Sequence, residues 1–194
     1  MSVLLAGGPL HAQQVIDQSQ PLGLNVGVAG PIWIAQSFTT SANNISGAGF
    51  LNQIGYNPFA RTVVTGSIEF RLYTAPVYLG GTLLHTTVSS YSVPDGQAWI
   101  DAFWEPVSIV PGQFTLYAHV TPGSGDINLV GTTPGPYAGG AGGSWTSESA
   151  LRLDQRIDFA FRTYTTTVPE PGTYALMAVE LVGMALAKRR RVGR

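Results

Sequence analysis

The sequence predicts an all-β protein, an antiparallel jelly-roll-like β-sandwich followed by a short C-terminal hydrophobic helix. Apolar and polar residues alternate with a period of two along much of residues 30–165, as in strands that bury one face. Turn-forming residues separate these runs, and 24 glycines and 13 prolines among 194 residues supply many turns. No stretch before residue 174 has the 3.6-residue period of an amphipathic helix.

Five segments alternate clearly, and their alternate residues mark the face that we expect to be buried. These residues are Ile32, Ile34 and Phe38, with Gln36 among them; Ile68, Phe70 and Leu72; Ile100, Ala102 and Trp104; Phe114, Leu116, Ala118 and Val120; and Ile157, Phe159 and Phe161. Less regular strands fit near 45–56, 77–88, 106–110 and 126–130. About eight short strands with such turns are typical of two packed antiparallel sheets.

Residues 1–12 are predicted to be part of a secretory signal peptide. Val3–Leu10 is mainly apolar, it contains a helix-breaking Gly-Pro, and Ala12 offers a small residue at a cleavage point. The basic segment that opens such peptides is missing, so an ordinary apolar N-terminus is the alternative. The β-sandwich domain is then expected over residues 13–165.

The net charge of −1 conceals an acidic body and a basic tip. Residues 1–168 hold nine acids, five arginines and no lysine, whereas residues 169–194 have a net charge of +3. Because phosphate backbones are bound by basic surfaces, this body is not expected to bind nucleic acid.

The last segment, residues 166–194, has three parts in a fixed order. Pro169, Glu170 and Pro171 come first, and prolines disfavour helix at and before them. Residues 174–187 are apolar except for Glu180 and the border residues, and as a helix they would span about 21 Å of a hydrocarbon core about 30 Å thick. The basic cluster follows; it consists of Lys188, Arg189, Arg190 and Arg191. We expect a short, temporary membrane segment with these basic residues on the cytoplasmic side.

This end of the chain resembles the PEP-CTERM sorting signal of exported bacterial proteins. The resemblance lies in the Pro169-Glu170-Pro171 triplet, the apolar run and the terminal basic cluster, and Glu180 departs from the usual uninterrupted run. It implies processing near the triplet by a membrane protease of the exosortase type, transient anchoring in the inner membrane, and delivery to the cell surface or exopolysaccharide matrix of a Gram-negative bacterium. The alternative is an amphipathic helix that packs on the domain.

The body more loosely resembles a β-sandwich module of exported bacterial surface proteins. The matching segments are Ala35–Thr39, Trp99–Trp104 before Pro106, Val110–Gly112, and Asp158–Tyr164. They are packing and turn positions, so the resemblance implies a galactose-binding-like or related jelly roll and no activity.

A Gly-rich segment over residues 132–145 is the one candidate binding site. It is no phosphate-binding loop, because no Lys-Ser/Thr pair follows it. Its two aromatic residues, Tyr137 and Trp145, are predicted to offer flat faces for a glycan, since aromatic side chains pair an apolar face with a polar edge. The alternative is a flexible surface loop with Trp145 tucked against the edge of the sandwich.

No motif for catalysis, metal or cofactor binding is found. The absence of cysteine excludes disulfides, thiolate ligands and a Cys nucleophile. No G-x-S-x-G occurs, and the histidines His11, His85 and His119 lack metal-ligand spacing, so His85 and His119 are expected to be structural and solvent-facing. The acidic pairs Asp101/Glu105 and Asp154/Asp158, and calcium-binding loop acids such as Asp95 or Asp126, are left as weaker alternatives.

The sequence therefore predicts a non-enzymatic protein of the cell surface or exopolysaccharide matrix, and a glycan-binding module is one form that such a protein can take. Its expected partners are the exosortase-type protease, exopolysaccharide, and the membrane before the tail is cleaved. The alternative is a small secreted hydrolase that acts on polysaccharide.

Overall fold

The computed structural model describes residues 13–21, 26–29, 32–53, 63–93, 96–121 and 128–167. Its strands are β1 (Gln13–Gln20), β2 (Val26–Ala29), β3 (Trp33–Thr40), β4 (Asn44–Gln53), β5 (Val64–Tyr73), β6 (Leu83–Val93), β7 (Gln97–Ser108), β8 (Gly112–Val120), β9 (Asn128–Thr132), β10 (Gly142–Trp145), β11 (Asp158–Phe159) and β12 (Phe161–Thr167). A 3₁₀ turn over Val77–Leu79 is the only helical element in these ranges. Val15–Thr165 forms one compact unit. The chain ends form a second unit, and of its residues the structure describes only Gln13, Gln14, Thr166 and Thr167.

The strands form two antiparallel sheets. Sheet 1 has the order β1-β12-β4-β9-β11, with β7 paired to β4 and β2 paired to β9. Sheet 2 has the order β10-β3-β8-β5-β6. The prediction of an all-β protein with two antiparallel sheets is thus confirmed. The signal segment at 1–12 and the helix predicted over 174–187 lie outside the described residues.

The core lies between the two sheets and is built from the alternating residues. Ile34 and Phe38 of β3 are fully buried, as are the apolar residues predicted for β5 and β8, namely Ile68, Phe70, Leu72, Phe114, Leu116, Ala118 and Val120. Phenylalanine rings join the sheets: Phe50 of sheet 1 stacks on Phe70 of sheet 2 at 6.2 Å between ring centroids, and Phe38 lies 6.0 Å from Phe161. Burial of these rings is the main source of stability.

Several elements differ from the sequence prediction. Three strands, β1, β2 and β10, were not predicted, and the segment expected at 106–110 is the end of a single longer strand, β7. The strand expected at 77–88 begins only at Leu83, because the 3₁₀ turn and Gly80, with φ of 81°, precede it. Trp104 is only partly buried; it packs against the core, and its Nε1 donates to the Ile45 carbonyl at 3.1 Å.

A buried polar pair joins the two sheets inside the core. The Gln36 side chain of β3 donates through Nε2 to Asp158 Oδ1 at 2.9 Å and accepts from the Phe159 amide through Oε1 at 2.8 Å. The second oxygen of Asp158 accepts from the Tyr137 amide at 2.7 Å. Asp158 is only 1% exposed, and its burial raises the pKa of its carboxyl group. Hydrogen bonds from neutral donors therefore compensate the desolvation of this carboxylate.

The raised pKa of Asp158 predicts a pH-dependent effect of Asp158→Asn. The pKa of an aspartic acid side chain is about 3.9 in the unfolded state, and here it is higher in the folded state. Such a group contributes most to the free energy of unfolding below pH about 3.9, where it is protonated in both states. This contribution is lost as the pH rises through the folded-state pKa. The free energy of unfolding of the wild type minus that of the variant should therefore fall between pH 4 and 7 in urea titrations. A difference independent of pH would contradict the assignment.

Candidate functional site

An open cleft of about 720 Å³ lies along the edge of sheet 2, and residues 143–157 line it. One wall is β10, which pairs with β3 so that Trp145 lies opposite Trp33. The chain then turns and comes back beside β10, where the Asp154 amide donates to the Gly142 carbonyl at 2.7 Å and the Gly142 amide to the Ile157 carbonyl at 2.6 Å. Both walls thus belong to one continuous segment.

The loop between these walls is fixed on the outer face of sheet 2. Glu148 accepts a charge-assisted hydrogen bond from Arg71 Nη1 at 2.6 Å and a second bond from the Tyr73 hydroxyl at 2.9 Å. Burial and then the Glu148 carboxylate raise the pKa of that hydroxyl. Leu151 is fully buried in a small second core with Ala35, Tyr73 and Tyr117. This core explains why β3 and β8 bury residues on both faces.

Gly143 permits the close approach of the two walls. A Cβ atom at this position would collide with the Arg152 carbonyl oxygen, so any side chain here would force the returning segment away from β10. The glycines before Trp145 therefore serve a structural purpose, and they are part of β10.

Trp145 is 58% exposed at the mouth of the cleft. In the described part of the chain its ring forms no hydrogen bond and no aromatic or cation–π contact. Its cross-strand neighbour Trp33 differs, because it stacks on His119 at 4.5 Å and has the Arg71 guanidinium 4.7 Å from its ring centroid. Of the two adjacent tryptophans, Trp33 packs against His119 and Arg71, whereas the Trp145 ring remains exposed.

Polar side chains surround the Trp145 ring. Arg156 binds both carboxylate oxygens of Asp154, with Nη2 2.7 Å from Oδ2. Hydrogen bonds from the Arg156 side chain and then its amide lower the pKa of Asp154 to about 2. Arg152 extends over the Tyr78 ring at 4.6 Å, Ser144 and Gln155 add polar groups, and Ala150, Leu153 and Ile157 give the lining an apolar part. The cleft thus combines an exposed aromatic face with hydroxyl, amide, guanidinium and carboxylate groups.

The structure does not bring Tyr137 to this site. Its ring packs edge-on against Phe161 at 5.2 Å, and its hydroxyl donates to Gln18 and accepts from the Thr39 amide. Burial raises the pKa of this hydroxyl. On strand β3, Tyr137 lies beside Thr39 and Trp145 lies beside Trp33. These two β3 residues are six positions apart, which is about 20 Å along a strand. The two aromatic residues therefore do not share one stacking surface.

The acidic pairs considered for catalysis are engaged in other contacts. Asp101 of β7 and Arg162 of β12 lie on either side of Gly49 in β4 and form an ion pair. A Cβ atom at position 49 would collide with the Asp101 carboxylate. Asp154 is held by Arg156, and Asp158 is buried in the core. Among the described residues, no three His, Cys, Asp or Glu side chains cluster closely enough to hold a metal ion.

The two described histidines occupy stacked, partly buried positions instead of facing solvent. His119 stacks on Trp33, and His85 stacks on Trp104 at 4.9 Å. Burial lowers the pKa of His85. His11 lies outside the described residues.

The sorting-signal residues also lie outside the described part of the chain; they are Pro169, Glu170, Pro171, Lys188, Arg189, Arg190 and Arg191. Within the part that is described, no helix has the length and hydrophobicity needed to cross a membrane. No protein-family model matches the sequence, and a search of curated proteins finds no match either.

The second wall of the cleft, which includes Arg152, Asp154 and Arg156, was not predicted as part of the site. The Asp154-x-Arg156 spacing was a local signal for the ion pair, since side chains two apart can face each other at a turn. What returns this pair to the side of Trp145 is the backbone bonding of Gly142 to Asp154 and Ile157, which no sequence pattern encodes.

Replacement of Leu151 by Ala should loosen the loop that carries the second wall. Because Leu151 is fully buried, the loss of its side chain is expected to lower the free energy of unfolding by about 2–4 kcal/mol. Leu153→Ala is the matched control, since Leu153 is only partly buried against the same small core and should cost less. Urea denaturation of both variants measures the difference, and equal losses would contradict the anchoring role of Leu151.

Proposed function

We propose that the protein is an exported, non-enzymatic glycan-binding protein of the bacterial cell surface or exopolysaccharide matrix. The observation that carries this proposal is the exposed ring of Trp145, which has no hydrogen-bond or ring partner among the described residues and lines an open cleft that has both apolar and polar side chains. Tryptophan is enriched at binding surfaces, because its side chain combines a large apolar face with a polar N–H group.

The chemistry of the cleft suits a sugar. The C–H face of a pyranose ring packs against an indole face, while the ring hydroxyls need hydrogen-bond donors and acceptors around it. Asp154, Gln155 and Arg156 supply both kinds of group on the adjacent wall. Small-molecule sites of this type pair an apolar contact with a few placed polar groups.

The charges favour an uncharged glycan. Arg71, Arg156 and Arg162 each form an ion pair with a carboxylate. The body up to residue 168 has more acids than arginines and no lysine. Arg152 in the cleft lining donates to the backbone carbonyls of Ser149 and Leu151 and has no carboxylate partner among the described residues. Because a polyanionic chain rich in uronic acids would still meet a body of the same sign overall, we infer that the ligand is a neutral polysaccharide segment.

The strand order supports the finer fold assignment, a jelly roll. Eight strands alternate between the sheets in the orders β1-β12-β4-β7 and β3-β8-β5-β6. This is the arrangement of two interleaved Greek keys, and lectin domains are among the proteins built on such scaffolds. Fold alone does not assign function, so the binding proposal depends on Trp145 and its surroundings.

Export and processing belong to the same proposal. Its support is the order of the Pro169–Pro171 triplet, the apolar run over residues 174–187 and the basic cluster Lys188–Arg191, which together resemble a PEP-CTERM signal. An exosortase-type protease would cleave near the triplet, and the body would remain at the cell surface or in the matrix.

The alternative, a small secreted hydrolase, has less support. A general acid in glycoside hydrolysis needs a carboxyl with a raised pKa near a second carboxylate. The carboxyl at the cleft, Asp154, has a pKa of about 2 and is bound to Arg156. It stays ionised at neutral pH and cannot donate a proton.

Replacement of Trp145 by Ala should abolish retention on the neutral fraction of the producing cells' exopolysaccharide. Because the ring is exposed and makes no packing contact of the kinds described above, the thermal midpoint should stay nearly unchanged. Phe103→Ala is the control for retention, since Phe103 is 52% exposed on the opposite sheet; its ring packs against Tyr164 at 4.8 Å, so this variant should lower the thermal midpoint and keep retention. Affinity electrophoresis and thermal unfolding check both results. Unchanged retention, or a large fall in the thermal midpoint, would assign Trp145 to packing.

Mass spectrometry of the surface-associated protein should find no peptides from residues 174–194. The reason is that cleavage near Pro169–Pro171 would leave the apolar tail behind in the membrane. A variant with all three triplet residues replaced by Ala should keep the tail. Recovery of intact tails from the mature wild-type protein would contradict the processing step.

A further inference from the structure

Arg152 is an exposed cation in the lining of the cleft, and its guanidinium group is held in one orientation. Its Nη1 atom donates to the carbonyl of Ser149 at 3.0 Å and to the carbonyl of Leu151 at 3.1 Å. The flat guanidinium lies over the Tyr78 ring, 4.6 Å from the ring centroid. Because the side chain is already oriented from two directions, it loses less conformational entropy when it binds a ligand.

The ring under Arg152 is itself fixed to the body of the domain. Tyr78 lies in the 3₁₀ turn Val77–Leu79, and the Val77 amide donates to the hydroxyl of the fully buried Tyr117 at 2.9 Å. The Gly80 amide closes the turn by donating to the Val77 carbonyl at 3.0 Å. Two segments that are distant in the chain thus meet to orient one guanidinium group.

The Nε and Nη2 atoms of Arg152 form no hydrogen bond or ion pair with any residue that the structure describes. Three other described arginines, Arg71, Arg156 and Arg162, are each paired with a carboxylate. The Nε–H group and one Nη2–H group point the same way and form a fork that can donate to two adjacent oxygen atoms at once. Arg152 therefore combines a fixed orientation with donors that are free for a ligand.

The rest of the lining favours a pair of hydroxyl groups over a carboxylate as the partner of this fork. Asp154 lines the same cleft and is ionised at neutral pH, since its pKa is about 2. A carboxylate ligand would only accept hydrogen bonds and would be repelled by Asp154. Sugar hydroxyls can accept from Arg152 and donate to Asp154, so they satisfy both side chains.

We propose that Arg152 determines the specificity of the cleft by donating from Nε and Nη2 to two adjacent hydroxyl oxygens of a neutral sugar ring. Trp145 supplies the stacking face, and Arg152 selects rings that carry a vicinal diol. Tyr78 is a positioning residue, which acts through Arg152. This inference rests on the glycan binding proposed above.

Arg152→Lys tests the proposal on the purified full chain, with the neutral fraction of the producing cells' exopolysaccharide as the probe. Lysine keeps the positive charge but lacks the fork, so the dissociation constant in affinity electrophoresis should rise about tenfold or more. The thermal midpoint should stay nearly unchanged, because Arg152 is exposed. Leu79→Ala is the control, since Leu79 is 67% exposed in the turn that carries Tyr78, and it should bind like the wild type.

O-methylation of the polysaccharide identifies the group that Arg152 contacts. Methylation blocks the ring hydroxyls and keeps the C–H face, so it should weaken wild-type binding about tenfold more than it weakens binding by Arg152→Lys. A rise in salt from about 0.05 M to about 0.5 M should change wild-type binding by less than about twofold, because a neutral diol has no charge to screen. Equal losses on methylation would overturn the proposal, and so would a steep loss with salt, which would indicate an anionic ligand.

Tyr78→Ala separates a positioning role from a structural one. Loss of the ring under the guanidinium should weaken wild-type binding by about two- to fivefold and should add nothing in the Arg152→Lys background. The same loss in both backgrounds would show that Tyr78 does not act through Arg152 and would overturn that part of the proposal.

The Trp145 and Arg152 variants distinguish this inference from the function on which it rests. Retention that Trp145→Ala abolishes and Arg152→Lys leaves unchanged would overturn the role of Arg152 and keep glycan binding. A wild-type chain that is not retained at all would overturn both.

Discussion

The buried hydrogen bonds of Gln36 with the Asp158 carboxylate and the Phe159 amide fix how the Gly-rich segment and strand β11 attach to sheet 2. They join β3 of sheet 2 to β11 of sheet 1, and the second carboxylate oxygen of Asp158 fixes the backbone of Tyr137. Through Tyr137 the start of the Gly-rich segment is tied to the core, and its end is then able to add to sheet 2 as β10. Because an unpaired buried carboxylate is costly, these contacts are expected to form together or not at all.

The sequence predicts the part of the fold that depends on local pattern. Alternation identifies the inward residues of β3, β5 and β8 correctly, because one face of each meets the other sheet. It does not identify β10, whose residues Gly142, Gly143, Ser144 and Trp145 show no alternation of apolar and polar types. Strand β10 forms because its backbone pairs with β3, which lies about a hundred residues earlier in the chain. Gln36 was noted in the sequence, but its partner Asp158 is 122 residues distant and no spacing rule links them.

The candidate site likewise has one feature that local sequence suggests and another that depends on contacts between distant residues. The sequence left two interpretations of Trp145 open, an exposed stacking face and a ring tucked against the edge of the sandwich. The ring is exposed, although Trp145 lies in a strand that pairs with β3 and not in a loop. Tyr137 comes from the same segment, yet its hydroxyl reaches Gln18 and Thr39 at the far end of β3. Composition alone treats both aromatic residues as equivalent members of one loop. The two residues are separated because the backbone of Tyr137 binds Asp158, whereas the backbone of Trp145 pairs with β3. Both contacts depend on tertiary structure.

The outer face of sheet 2 explains why an exposed tryptophan is tolerated at this place. Residues in register across β10, β3, β8 and β5 form one row, namely Trp145, Trp33, His119 and Glu69. The loop after β10 covers the next row, where Leu151 packs on Ala35 and Tyr117 and where Glu148 neutralises Arg71. The row with Trp145 is left uncovered at its outer end, since the loop has already turned towards Arg152. Trp145 at that end therefore stays 58% exposed, and the proposed binding role depends on this exposure.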